Sequence, residues 1–123
     1  MIVLPLPLNR ANTSLHWRAE KRKRDAYMLR CTIEAPERPP KPSSGVRLTA
    51  TLYLHQRMDA DNLMARMKWP LDWLVERGWI TDDNPEVIEW TEPPIQVIDR
   101  KNPRVVIELE PAPLVADRGL ERA

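Results

Sequence analysis

Four aspartates form two pairs in the second half of the chain. Asp59 and Asp61 lie in the segment RMDADN, and Asp82 and Asp83 lie in GWITDDNPEV after a second turn signal. Crowded carboxylates repel one another unless a cation stands between them, and oxygen ligands of this kind suit hard divalent cations. The two pairs therefore either stay apart as solvated caps and turns or converge on a positive group.

The charge of the chain is divided unevenly along its length. Residues 1–47 hold ten Lys or Arg and four acids, whereas residues 48–123 hold nine and fourteen. A basic half suits a polyanion and an acidic half suits a cation, so the two together fit a protein that presents a metal to phosphates. Charge complementarity within one fold explains the same asymmetry equally well.

The strand that leads to the first aspartate pair is the clearest element in the sequence. VRLTATLYLH, residues 46–55, alternates apolar and polar side chains, which is typical of a strand with one face in the core. The segment ends directly before QRMDADN, which places the first aspartate pair at a rim of the sheet. The second pair could lie at the same rim, but the sequence does not show that the two pairs meet, because the second helix returns the chain across the sheet. The predicted core face consists of Val46, Leu48, Ala50, Leu52 and Leu54.

A first helix is predicted over residues 15–34, which contain no Gly or Pro and repeat Ala26, Leu29 and Ile33 at helical spacing. Four consecutive bases lie in its N-terminal half, where the helix dipole disfavours them. A phosphate partner would relieve them, although a solvated face is the commoner explanation. These bases are Lys21, Arg22, Lys23 and Arg24.

A second helix is predicted over residues 62–77, ending at Gly78, which is a good C-cap residue. Pro70 lacks a backbone donor and disfavours helix at the residue before it, so the helix is expected to kink or start afresh there. The expected apolar stripe is Leu63, Met67, Leu71 and Leu74.

The order β-α-β-α-β-β predicts a single α+β domain, a mixed sheet with two helices packed on it. The remaining strands are residues 1–7, the segment EVIEW to IQVID interrupted at Pro93 and Pro94, and residues 104–110. The domain is expected to cover residues 1–110, and residues 111–123 are expected to form a flexible tail.

The composition limits the class of protein. The 123 residues suit one domain, and 30% charged residues with a mean hydropathy of −0.52 indicate a soluble protein. No apolar run approaches a membrane span, and the start lacks the features of a signal peptide, so a cytoplasmic location is expected. The lone Cys31 is predicted to be a buried structural thiol.

The segment DADNLMARMKWPLDWLVERGWITDD, residues 59–83, resembles the signature of the RusA-type Holliday junction resolvases. That signature has an Asp-x-Asp-Asn opening a helix, a lysine along the helix, a Gly at its end and an Asp-Asp pair shortly after. The resemblance extends over residues 1–110. It includes LPLPLN near the start, the basic LHWRAEKRKR and a closing hairpin.

This resemblance implies a homodimeric, Mg²⁺-dependent endonuclease, with Mn²⁺ as a substitute, that resolves four-way DNA junctions by symmetric nicks. It implies that Asp59, Asp61 and Asp83 are catalytic metal ligands, with Asn62 and Asp82 in support. The expected DNA-binding residues are Asn9, Asn12, His16, Lys21, Arg22, Lys23 and Arg24.

The family lysine has two candidate positions in this sequence. Counting forward from Asp61 gives Ala65, whereas counting backward from Asp72 gives Lys68. We take Lys68 as catalytic, because three extra residues near Pro70 add almost one helical turn and keep roughly the same face. Ala65 at that position would leave activity weak or absent.

The residue types also fit this chemistry without the family name. Phosphodiester hydrolysis needs an activated water and a stabilised charged transition state, which Mg²⁺ held by carboxylates supplies, while Lys and Arg hold the DNA backbone. Trp17 and Trp69 are candidates for stacking on exposed bases.

Simpler interpretations remain open at the same residues. Asp61 and Asn62 are common helix caps, and residues 82–85 form a good turn sequence. Two other functions also remain: a junction-binding dimer that has lost cleavage, and a structural dimer whose acidic and basic faces meet.

Overall fold

Five strands form one mixed sheet around a central strand. The computed structural model describes residues 1–7, 17–40 and 45–112. In chain order the elements are β1 (Ile2–Pro5), α1 (Trp17–Glu34), β2 (Gly45–Leu54), α2 (Ala60–Ala65), α3 (Lys68–Arg77), β3 (Ile88–Trp90), β4 (Ile95–Ile98) and β5 (Arg104–Ala112). The predicted α+β class with a mixed sheet is confirmed, although the element order differs because the second helix and the third predicted strand are each divided in two.

The central strand β2 has different partners on its two edges. β5 lies antiparallel along one edge and is itself paired with β1. On the other edge β3 pairs in parallel with Val46 to Leu48, and β4 pairs in parallel with Thr51 to Leu54. The interruption predicted at Pro93 and Pro94 is therefore confirmed, and it separates two short strands that share one edge of β2.

The closing hairpin expected from the family resemblance is wrong. β4 and β5 lie on opposite edges of β2, so the chain crosses the end of that strand between them. Because β3 and β4 occupy one edge of β2, the antiparallel strand β5 pairs along the other edge of β2. The crossing is tied to the end of β2, since the Arg100 Nε donates to the His55 carbonyl over 3.1 Å and the Arg104 guanidinium lies 3.7 Å from the Tyr53 ring.

The core lies between the sheet and the helices. The predicted core face of β2 is confirmed, since all five side chains are buried. The predicted face of α1 is wrong: Leu29 is 63% exposed and Ile33 is 68% exposed, whereas Tyr27, Met28 and Cys31 are buried.

An aromatic contact determines which face of α1 is buried. The Tyr27 hydroxyl donates to the Pro5 carbonyl over 2.9 Å, and its ring centroid lies 5.8 Å from that of Trp69. A tyrosine buries more surface than the smaller side chains on the predicted face, and it still satisfies its hydroxyl. One turn further along, burial raises the pKa of the Cys31 thiol to about 11, which agrees with the predicted structural role.

The second helix stops and restarts, as the sequence allowed. α2 ends at Ala65 and α3 begins at Lys68, so the break precedes Pro70. Pro70 is the third residue of α3, where a backbone N–H has no partner within the helix, and it is therefore tolerated. The predicted apolar stripe is confirmed, with Leu63, Met67 and Leu74 buried and Leu71 half-buried.

The C-terminal limit of the sheet lies two residues beyond the predicted domain. β5 continues to Ala112, and its last two residues pair with Val46 and Gly45. The remainder of the predicted tail, residues 113–123, lies outside the described residues. Within the described residues, the helices are too short or too polar to cross a membrane.

Candidate active site

The first aspartate pair lies at the start of α2. Asp59 is the N-cap residue, with φ −66° and ψ 154°, and its carboxylate makes no cap hydrogen bond. Asp61 lies in the first turn, and both aspartates are exposed. The half-buried Asn62 accepts from the Arg66 N–H through its own backbone carbonyl over 3.0 Å. Asp61 and Asn62 are therefore not the capping residues, and the aspartate that holds the cap position does not use its side chain there.

The second aspartate pair lies in a turn built by its neighbours. The Asp82 carboxylate accepts from the Asp83 N–H over 2.7 Å. The Asn84 side chain accepts from the N–H groups of Glu86 and Val87 over 3.0 and 3.2 Å. The turn is thus held by the side chains on either side of Asp83, whose carboxylate points to a different partner.

That partner is Lys68, the first residue of α3. Its Nζ lies 3.7 Å from the Asp83 Oδ2 and 3.2 Å from the Asp72 Oδ1. The lysine side chain is 56% exposed, so these ion pairs are weak and the ammonium group can exchange partners at low cost. Ala65, the other candidate for the family lysine, is exposed at the end of α2.

The ion pairs continue from α3 to α1. The Arg24 Nη2 lies 2.9 Å from the Glu76 Oε1 and 3.5 Å from the Asp72 Oδ2. Its hydrogen bond to Glu76 is the largest cause that raises the pKa of Arg24. Asp72 is only 19% exposed and has cations on both sides. We call Arg24, Asp72, Lys68 and Asp83 the charge chain.

The sequence already predicts that Lys68 and Asp72 share one face of the helix, but the ion pairs from this face to α1 were not predicted. Asp72 lies one helical turn beyond Lys68, and Glu76 lies one turn beyond Asp72. This spacing puts the three side chains on one face of the helix and was the signal that could have revealed them.

The predicted DNA-binding residues that the structure describes fall into two groups. Lys21, Arg22 and Lys23 are exposed on α1, whereas Arg24 is half-buried in the charge chain. Asn9, Asn12 and His16 lie outside the described residues. The exposed bases therefore form a surface of three consecutive cations, and the fourth base joins two helices.

A groove of about 290 Å³ lies between α1 and the start of α3. Trp17, Lys21, Arg24 and Lys68 are among its lining residues, so it connects the basic part of α1 with the charge chain. Trp17 is 63% exposed and is accessible for stacking. Trp69 is buried against Tyr27, so the expectation that it stacks on a base is wrong.

The predicted metal ligands are only partly brought together. Among the described residues, no three His, Cys, Asp or Glu side chains form a group that could hold a metal ion. Asp83 is paired with Lys68, while Asp59 and Asp61 lie two positions apart at the start of α2. Mg²⁺ in phosphate chemistry is usually held by one or two carboxylates together with water and substrate oxygens. Asp59 and Asp61 are exposed, and the three predicted ligands are not assembled into one group.

The loop before Asp59 has two partners that the sequence analysis missed. The Gln96 side chain on β4 accepts from the Met58 N–H over 2.9 Å and donates to the Met58 carbonyl over 3.0 Å. Arg66 donates to the Met58 sulfur over 3.3 Å and to the Pro7 carbonyl over 3.0 Å. Burial lowers the pKa of Arg66. No local sequence pattern marks these contacts, because each joins residues from separate elements.

Comparisons of the chain with protein-family models, with curated proteins and with solved structures gave no match.

Proposed function

We propose that this protein is a Mg²⁺-dependent, structure-selective endodeoxyribonuclease that acts as a homodimer and resolves four-way DNA junctions by paired nicks. The observation that supports it most is the 3.7 Å approach of the Lys68 Nζ to the Asp83 Oδ2. These two residues belong to different elements, and their proximity matches the register in which the sequence resembles the RusA-type resolvases.

The chemistry of the site is consistent with phosphodiester cleavage. A half-exposed lysine with weak carboxylate partners can turn to a phosphate oxygen and stabilise the negative charge that grows in the transition state. Asp83, released from that pair, is then free to accept a hydrogen bond from the attacking water. Asp59 and Asp61 would hold a Mg²⁺ ion, which would supply Lewis-acid chemistry at the phosphate.

The DNA surface in this proposal is the exposed face of α1. Lys21, Arg22 and Lys23 contact phosphates without reading bases, so binding weakens steeply as salt rises. Arg24 keeps α1 in place against α3 through Glu76 and Asp72. A four-way junction has two equivalent strands to cut, and a two-fold dimer supplies two equivalent sites.

The second candidate function is a junction-binding protein without cleavage. The same ion pair supports this candidate. While the Asp83 carboxylate stays paired with the Lys68 ammonium group, it does not join Asp59 and Asp61 around a metal ion. The basic surface of α1 serves this function equally well.

A labelled synthetic four-way junction, incubated with Mg²⁺ or with EDTA, tests both candidates. Wild-type protein is expected to make paired nicks with Mg²⁺ only. Asp61→Asn is expected to lower the nicking rate by more than about 100-fold, which exceeds the typical cost of changing an outer-shell residue. Glu92→Gln, which neutralises an exposed carboxylate in the β3–β4 connection, is the matched control and is expected to cut normally.

The outcomes separate the candidates. Metal-dependent nicks that disappear in Asp61→Asn alone support the nuclease. Tight junction binding with no nicks supports the binding protein. A protein that neither binds nor cuts the junction contradicts both proposals.

A further inference from the structure

The Gln96 side chain is half-buried, so its amide needs hydrogen-bond partners within the protein. In β4 it stands opposite Leu52 of β2, whose side chain is fully buried, so Gln96 belongs to the face of the sheet that the helices cover. A half-buried amide is costly unless its donor and acceptor are both used. Both are used here, and both go to the same residue, Met58.

The pair of hydrogen bonds replaces a missing strand partner. β2 ends at Leu54, so the backbone at Met58 lies beyond the ladder that pairs β2 with β4. The Gln96 amide offers the Met58 backbone one acceptor and one donor, which is what a neighbouring strand would offer. One side chain therefore extends the hydrogen bonding of the sheet to the segment that precedes α2.

This contact fixes the residue directly before Asp59. The Asp59 carboxylate makes no cap hydrogen bond, so its own side chain does not set the entry into α2. Arg66 holds the Met58 side chain at its sulfur, but Gln96 holds the Met58 backbone. The direction of the chain into Asp59 thus depends on an amide from a distant strand.

We propose that Gln96 is a positioning residue that sets the place of Asp59 and, through it, of the acidic pair at the start of α2. Its consequence for nicking rests on the proposed function. The hold on the Met58–Asp59 backbone is a property of the fold itself, so the two can be tested separately.

Three variants of the full chain test this role. Gln96→Leu removes both hydrogen bonds at similar side-chain volume. Gln96→Glu keeps the acceptor, loses the donor and preserves size, which guards against a folding failure in the leucine variant. Thr32→Val is the matched control, because Thr32 accepts from the Trp73 indole over 3.0 Å and donates to the Met28 carbonyl over 3.2 Å. It also loses two hydrogen bonds, one between α1 and α3 and one within α1.

The first measurement is the hydrogen-exchange rate of the Met58 amide by NMR, with the unfolding midpoint recorded for each variant. Gln96→Leu is expected to speed this exchange by about 5- to 10-fold, the change that corresponds to one ordinary hydrogen bond. Gln96→Glu is expected to fall between the leucine variant and the wild type. Thr32→Val is expected to lower the midpoint without a selective change at Met58.

The second measurement is junction nicking, with junction affinity measured in EDTA. Gln96→Leu is expected to lower the nicking rate by about 10- to 100-fold at unchanged affinity, as for other residues that orient a site without touching substrate. Thr32→Val is expected to nick at the wild-type rate once folded.

The results are decisive in each case. Unchanged Met58 exchange in Gln96→Leu would overturn the positioning role, and so would a loss of nicking of equal size in Thr32→Val. If the wild-type protein makes no nicks, the proposed function fails, and the exchange measurement still supports or overturns the hold of Gln96 on Met58.

Discussion

The two acidic segments of this protein are held in place in opposite ways. Residues 57–61 are held from outside, by Gln96 and Arg66, and the side chain of Asp59 contributes no cap bond. Residues 82–85 hold themselves, through the side chains of Asp82 and Asn84. The first segment is thus sensitive to changes in remote elements, whereas the second forms locally and depends on its own residues.

The largest expected effect concerns which of the two acidic segments Lys68 acts with. Lys68→Met is expected to lower single-turnover nicking of a four-way junction by at least about 100-fold, because it removes the cation that lies 3.7 Å from the Asp83 Oδ2. The double variant Lys68→Ala with Ala65→Lys moves the charge to α2, next to the first pair, and is expected to stay inactive. Recovery of nicking in the double variant would assign the lysine to Asp61 instead.

The next effect concerns Gly78, which ends α3 shortly before the second acidic segment. Gly78 has φ 91° and closes α3 with hydrogen bonds of 3.1 Å to the carbonyls of Leu74 and Val75. Among the residues that the structure describes, an added Cβ would meet Pro39 at 3.8 Å, an ordinary contact, so the expected cost lies in the backbone conformation. Gly78→Ala is expected to destabilise by about 1–2 kcal/mol in urea unfolding, and Gly78→Asn by less, since Asn tolerates this conformation. Equal losses would indicate steric conflict instead.

A smaller effect contrasts the two segments directly. Asn84→Ala removes the acceptor for two backbone donors and is expected to destabilise the fold by about 1 kcal/mol. Asp59→Ala is expected to change stability by less than about 0.5 kcal/mol, although an N-cap substitution ordinarily costs about twice that. Urea unfolding of both variants provides the measurement, and a larger loss for Asp59 would show that its carboxylate does cap α2.

The smallest effect concerns a third turn with an acidic residue, Asp99, whose side chain forms hydrogen bonds with residues of the same turn. Asp99 accepts from the N–H groups of Lys101 and Asn102, each over 3.2 Å, and from Arg104 over 3.0 Å. The Arg104 hydrogen bond is the largest cause that lowers the pKa of Asp99. Because the folded-state value lies below the unfolded one, the stabilisation is present above the unfolded pKa and is lost as the pH falls through the folded one.

An NMR titration of the Asp99 carboxyl checks this expectation. Its pKa is expected below the ordinary range and is expected to rise in Arg104→Met. An unchanged value in that variant would assign the shift to the backbone donors.

The sequence predicted elements whose cause is local. The alternation in β2, the capping role of Gly78 and the break near Pro70 all follow from residues within a few positions of one another. The same holds for the strand interruption at Pro93 and Pro94, since proline cannot donate to a ladder. The acidic turn at residues 82–85 was likewise recognisable from its composition.

Features that depend on tertiary contacts were missed. The buried face of α1 is set by Tyr27 against Pro5 and Trp69, not by the periodicity of Leu29 and Ile33. At the candidate site, the sequence predicted roles for Lys68 and Asp83, whose charged groups lie 3.7 Å apart. It gave no sign of Gln96, because an amide that substitutes for a strand partner has no sequence signature.

The pairing of β1 and β5 has a consequence for how the molecule is made. Ile2 lies opposite Ile107, so the first and the last of the described strands in chain order pair with each other. The central ladder between β2 and β5 must wait for the same segment. Contacts this distant along the chain slow folding and leave strand edges exposed in the meantime. The nascent chain therefore completes this sheet only after β5 has emerged, and the edge of β2 that β5 covers stays unpaired until then.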